Sequence, residues 1–220
     1  KEQQSVDIFG TQIFIKNIGA TLVTLSGAGN VNNKGTGLSD IEVANTSTDG
    51  IKKSATTLSA ADGTYSNKDF TGDKVLIVPT TVSGTVDVSS TGTLTVAKFA
   101  TDGNGDITFD AGKDLVVVSD IIVSDSKTVT LDASTWSISL VGKVTAGTLA
   151  VTVRDDFSVI SDVNNLSLDV TGSGNVTVQQ TGNINISSLK MAGGNVVFNV
   201  TGNVVFDSIT GVVGDITINA

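Results

Sequence analysis

NVTVQQTGNINISSLKMAGG, residues 175–194, is followed by NVVFNVTGNVVFDSITGVVG, residues 195–214, and then by DITINA, residues 215–220. Written one above another, the three lines carry the same pattern. Val176, Val196 and Ile216 align, as do Val178, Phe198 and Ile218, and Ile184 meets Val204, Ile186 meets Phe206 and Leu189 meets Ile209. Thr181-Gly182-Asn183 recurs as Thr201-Gly202-Asn203, and Gly174, Gly194 and Gly214 keep the same interval. Seven of the 20 positions are identical one period later. A fixed period of this length is the signature of a stacked repeat.

Within each period apolar residues alternate with polar ones, the two-residue rhythm of a strand with one buried face. Thr-Gly-Asn is also able to close a hairpin. A hairpin there sets Val200 opposite Asn203 and Asn199 opposite Val204, which mixes apolar and polar side chains on both faces. A chain that bends at Thr-Gly-Asn and returns one period later instead stacks each apolar residue on its equivalent, about 4.8 Å away. Asn175, Asn195 and Asp215 then form a polar column, as do Asn183 and Asn203, and amide ladders favour parallel strands in register. The pattern therefore predicts an all-β parallel solenoid, or β-helix, with coils of about 20 residues.

The 220 residues include 24 glycines, one proline, no cysteine and no histidine; 16% are charged and 5% aromatic. That profile suits short strands and tight turns, and a β-sandwich is the main structural alternative. Disulfides, thiolate metal sites and imidazole chemistry are excluded by composition. A net charge of −9 argues against nucleic acid or an anionic membrane as partner. No apolar run approaches the roughly 18 residues of a membrane-spanning helix.

Residues 73–220 are expected to form the solenoid. Strands are predicted at 75–78, 85–88, 93–96, 107–109, 115–118, 121–123, 128–131, 136–141, 149–153, 157–160 and 166–170, with Pro79 ending a strand. Residues 1–72 read as a β-rich cap or subunit-pairing region, with strands at 7–18, 21–25 and 39–44. A Gly- and Asn-rich loop is expected over 27–37, and a polar stretch containing Tyr65 over 46–73.

GDITFDAGKDLVVV, residues 105–118, resembles the repeats of filamentous-haemagglutinin-like passenger proteins, which are secreted bacterial right-handed β-helices. The resemblance covers residues 105–133. It implies an exported, elongated structural protein and carries over no functional residue.

Few constellations suggest chemistry. Asp102, Asn104, Asp106, Thr108 and Asp110 place oxygen ligands at alternate positions, a pattern that can wrap calcium. Ile107 and Lys113 depart from the helix-loop-helix calcium loop, and a solvated turn is the plainer reading. Asp155-Asp156 beside Arg154, the only arginine, is the one hint of a polysaccharide lyase or hydrolase, and adjacent strand positions would point the two carboxylates apart. Thr93-x-Thr95 and Thr128-x-Thr130 raise an ice-binding reading. Sequons fall at Asn45, Asn165, Asn175, Asn185 and Asn199, close to chance for this composition. Trp136 is expected in a core or cap.

The sequence begins at Lys1 with no Met and no leader, as a processed secreted protein would, and stops within a third copy of the repeat. An open solenoid end is a template for another chain. The expectation is an extracellular or cell-surface structural protein, not an enzyme, that self-assembles as a homopolymer into a fibre, sheath or surface layer. An adhesin shaft displaying a glycan- or host-receptor-binding loop is the alternative.

Overall fold

The computed structural model of the chain describes residues 72–77, 81–82 and 84–220, preceded by six strand segments: Gln12–Ile15, Leu22–Gly27, Asn30–Asn33, Asp40–Asn45, Thr57–Ser59 and Lys68–Phe70. Among the described residues every strand pair is parallel. The fold is a β-solenoid of about seven turns. No helix among the described residues is long and apolar enough to cross a membrane.

Each turn runs over two main faces joined by a shorter one. The first face is built by Lys74–Ile77, Leu94–Lys98, Leu115–Val117 and Ile138–Leu140, and then by the start of Phe157–Val170, Val176–Gln180, Val196–Val200 and Ile216–Asn219. The second, short face holds the Val82–Thr101 bridge, Ile121–Ile122 and the start of Lys143–Val153. The third is built by Val86–Ser90, Ile107–Ala111, Thr128–Ala133, the ends of the two long strands, and Ile184–Met191.

The expected register is present. Val176 pairs with Val196 and Val196 with Ile216; Val178 pairs with Phe198 and Phe198 with Ile218. Ile184–Val204, Ile186–Phe206 and Leu189–Ile209 follow on the third face. The inward columns close the core, where Phe198 and Phe109 are fully buried. Phe198 meets Phe206 edge-on at 5.8 Å, and Phe99 meets Phe109 at 5.3 Å, the offset geometry aromatic quadrupoles favour.

Turn length varies more than the repeat suggests. Along the third face the steps are 21 from Val86 to Ile107, 22 to Val129, 20 to Leu149 and 17 to Leu166. Two long strands, Lys143–Val153 and Phe157–Val170, run round a corner without interruption. The predicted strands 136–141 and 149–153 leave 142–148 as a gap, whereas the strand runs through Gly147. There the chain passes so close to the turn below that a Cβ would lie 2.0 Å from the Asp125 carbonyl oxygen, and glycine is what lets the strand continue.

Ahead of Lys74 the pairing remains parallel: Leu22–Gly27 with Asp40–Asn45, and Thr57–Ser59 with Lys74–Ile77. Asn30–Asn33 is a strand beside Gln12–Ile15 where the sequence suggests a loop. Tyr65 and Pro79 lie outside the described residues, and so does most of the expected cap or pairing region.

Glycine also sets the clearance between turns. Gly194 has φ +78°, and a Cβ on it would lie 2.1 Å from the Gly174 carbonyl oxygen, whereas Gly182, at φ +81°, has nothing within 4 Å. Gly182→Ala carries only the left-handed backbone cost, about 1 kcal/mol. Gly194→Ala adds a collision with main chain that cannot swing aside, so about 3 kcal/mol is expected. Denaturant unfolding of the two variants checks this; equal losses would show that layer clearance is not the constraint.

Candidate functional site

The residues before the first-face strands form one continuous polar column. The Asp73 carboxylate accepts the Thr93 N–H at 2.8 Å, and Asp114 accepts the Ser137 hydroxyl at 2.7 Å and its N–H at 3.2 Å. Asp156 accepts the Asn175 N–H at 2.7 Å, Asn175 the Asn195 N–H at 3.0 Å, and Asn195 the Asp215 N–H at 2.9 Å. Each side chain reaches one turn forward and occupies a main-chain donor at a corner, where the ladder is interrupted. Asn183 does the same for Asn203 at 2.8 Å, and Asp120 for Lys143 at 2.7 Å. The expected polar columns are therefore real, although their bonds run from side chain to backbone. Amide-to-amide contacts occur on the outward faces, between Asn219 and Asn199 at 2.8 Å and between Asn185 and Asn165 at 3.3 Å.

Of the residues that sequence reasoning selects for chemistry, Asp156 belongs to this column, and Asp106 makes the same kind of bond ahead of a third-face strand. Asp102 closes a local turn by accepting the Asn104 N–H at 2.9 Å, and Asp106 accepts the Thr128 N–H of the next turn at 2.9 Å. Thr108 and Asp110 then point outward from the extended strand Ile107–Ala111. At about 3.3 Å rise per residue, Asp106 and Asp110 stand about 13 Å apart. A calcium ion draws its ligands to within about 2.6 Å, so these five residues do not meet on one ion. Among the described residues no group of three or more acidic side chains is placed to hold a metal.

Asp155 and Asp156 sit in the exposed corner between the two long strands. Asp156 serves the column, and Arg154 reaches back to the Thr135 carbonyl at 3.5 Å. Trp136, expected in a core or cap, is 46% exposed, because it lies in the corner Ser134–Ser137 and not in the strand that starts at Ile138. The threonines form no continuous array: Thr95 stacks between Val75 and Val116, and Thr130 is followed by Ala150. Asn165, Asn175, Asn185 and Asn199, the sequon asparagines among the residues with described side chains, all point outward and are hydrogen-bonded along the stack. Two inter-turn ion pairs, Lys143–Asp162 and Lys190–Asp169, are exposed and weak contributors.

Among the described residues four polar side chains are buried: Lys74, Ser90, Ser161 and Gln180. Burial lowers the Lys74 ammonium below its ordinary value of 10.5, and neighbouring Asp73 opposes that shift. Gln180 is buried where the next turn has Val200. Its amide donates to the Val163 carbonyl at 2.8 Å and the Thr181 carbonyl at 2.9 Å, and accepts from the Ser161 hydroxyl at 2.7 Å and the Val163 N–H at 3.3 Å. The ladder above ends where Ser161 pairs with Gln180, and the Gln180 side chain supplies the partners that Val163 then lacks. Sequence reasoning missed it; a polar residue at an apolar position of the repeat was the available signal.

Two open grooves follow the corners. One of about 510 Å³ runs along Ile160, Gln179, Thr181, Asn199 and Asn219; the other, about 300 Å³, is lined by Asn164, Asn183, Asn203 and Val205. No carboxylate or amine lines either, so neither offers an acid–base pair.

The last described turn differs from the rest. Ile216–Asn219 pairs with Val196–Val200 on one side, and Val205, Ile209, Val213 and Ile218 are exposed. Comparison with protein-family models, with curated proteins and with solved structures finds no match.

Gln180→Leu is expected to cost about 3 kcal/mol, because the Val163 N–H and carbonyl and the Ser161 hydroxyl lose their partners inside the protein. Chemical denaturation measures it; a loss below about 0.5 kcal/mol would mean that water replaces the amide.

Proposed function

We propose that this chain is an extracellular structural protein whose subunits self-assemble by solenoid stacking and strand pairing into a fibre, sheath or surface layer. The observation that carries this reading is the uniform parallel register: strands rest on their equivalents one turn away, and Asn and Asp side chains tie each turn to the next. A stack held together in this way lengthens by pairing with another parallel strand, and a head-to-tail contact that does not close on itself grows into a filament.

The rest of the molecule supports a mechanical role. Its polar side chains are spent on tying one turn to the next, and its grooves carry no reactive pair. Absence of cysteine and a low share of charge suit a secreted building block held together by stacking.

Negative-stain electron microscopy of the purified chain tests the proposal. Rods, rings or sheets that lengthen with concentration are expected. Ile218→Asp, at a half-exposed site, is expected to leave monomer stability within about 0.5 kcal/mol and to abolish elongation. Monodisperse single particles at every concentration would overturn the proposal and favour an adhesin shaft.

A further inference from the structure

From Leu115–Val117 onward the first face carries no charge at its outward strand positions. From Leu94–Lys98 to Ile216–Asn219 each strand presents two outward side chains, and none of them is acidic or basic apart from Lys98 at the rim. One column, the position after strand start, holds only threonine, serine and valine. The other, two residues further on, runs Val118, Val141 and Ile160, and then Gln179, Asn199 and Asn219. Val118 is 47% exposed, Val141 67% and Ile160 48%. Away from the terminal turn, these make up three of the five large apolar residues that the described surface leaves exposed. They sit one above another in consecutive turns.

The third face is the opposite. Its outward positions carry Asp87, Asp110, Asp132 and Asp169, with Lys190 the one cation among them, and Asp110 lies directly over Asp132. Two copies of a chain with net charge −9 repel across such a surface. The first face is where they can approach without that cost. It presents Thr, Ser, Val, Ile, Gln and Asn side chains, bordered at its corners by Asp114, Asp155 and Asp156, an uncharged centre with a charged rim.

We infer that the first face is a lateral interface between two copies of this chain, packed sheet against sheet. Two such faces pack about 10 Å apart with their side chains interdigitating. Seven strands at about 4.8 Å spacing and strands about 15 Å long give roughly 500 Å² per copy, or about 1,000 Å² in all. That stands at the lower bound for a specific interface. Free subunits therefore pair weakly, and rods pair firmly, because each added subunit contributes another contact along the same line. This interface does not rest on end-to-end growth; it sets width, and strand pairing sets length.

The chain has no cysteine, so single cysteines report cleanly. Ser139→Cys, Ser158→Cys and Thr177→Cys place a thiol on the first face, and Thr130→Cys and Ser167→Cys place one on the third. With a short bis-maleimide, at least one first-face variant is expected to give covalent dimer tenfold or more faster than either third-face variant. Adding Val141→Asp and Ile160→Asp to that variant, with far-ultraviolet circular dichroism unchanged, is expected to remove the difference. In micrographs the aspartate pair converts bundled rods to single ones. Equal cross-linking on both faces overturns the inference, as do rods that stay bundled after the aspartate pair is introduced. Retention on an insoluble polysaccharide that the pair abolishes, without any facial preference in cross-linking, assigns the face to a glycan and also overturns it. Rods that never form while first-face dimers do would sink the proposal of elongation alone.

Discussion

Everything in this molecule depends on layer spacing. Once the chain returns to its starting point after each turn, every residue rests on an equivalent about 4.8 Å below, and only sequences whose equivalents tolerate that distance can stack. The inward positions meet it with branched aliphatics and phenylalanine, whose burial supplies the main driving force. The corners are harder, since main-chain groups there leave the strand ladder. Aspartate and asparagine answer that difficulty by reaching one turn forward, from Asp73 at one end to Asn195 at the other. Glycine answers the second difficulty, that some corners pass too close for a Cβ.

The arrangement explains why so many acids are present without an acid site. Asp106, Asp114, Asp120 and Asp156 are each engaged with an N–H one turn away. A carboxylate that accepts a main-chain donor is oriented along the stack. Residues that look like ligands or catalysts in a linear reading are thus structural staples. The two faces then divide the remaining work: one displays acids to solvent, and the other is left free of charge.

The tail of the chain was legible because its turns are equal in length. Residues 175–220 keep a step of 20, so alignment by eye places Val176 on Val196 and Val178 on Phe198, as the structure does. Upstream, steps of 17 to 23 residues hide the same architecture: Leu115 to Ile138 takes 23 and Leu149 to Leu166 takes 17. Strand positions survived this variation because alternation is local. Corner chemistry did not, because it depends on what lies a turn away. Trp136 reads as core or cap and is displaced outward by a corner of extra residues; Gln180 stands at an apolar position of the repeat and is held inside by its bonds to Ser161 and Val163. Asp102 to Asp110 looks like a loop in one dimension and is half strand in three.

Parallel stacking at a step of 20 is the claim on which the architecture and both assembly proposals stand. Nuclear Overhauser contacts in the labelled chain test it most directly. Stacking predicts backbone contacts from Thr177 to Val197 and from Val197 to Thr217. Contacts between Asn199 and Val204, or between Val200 and Asn203, would show an antiparallel hairpin at Thr201-Gly202 and contradict the account.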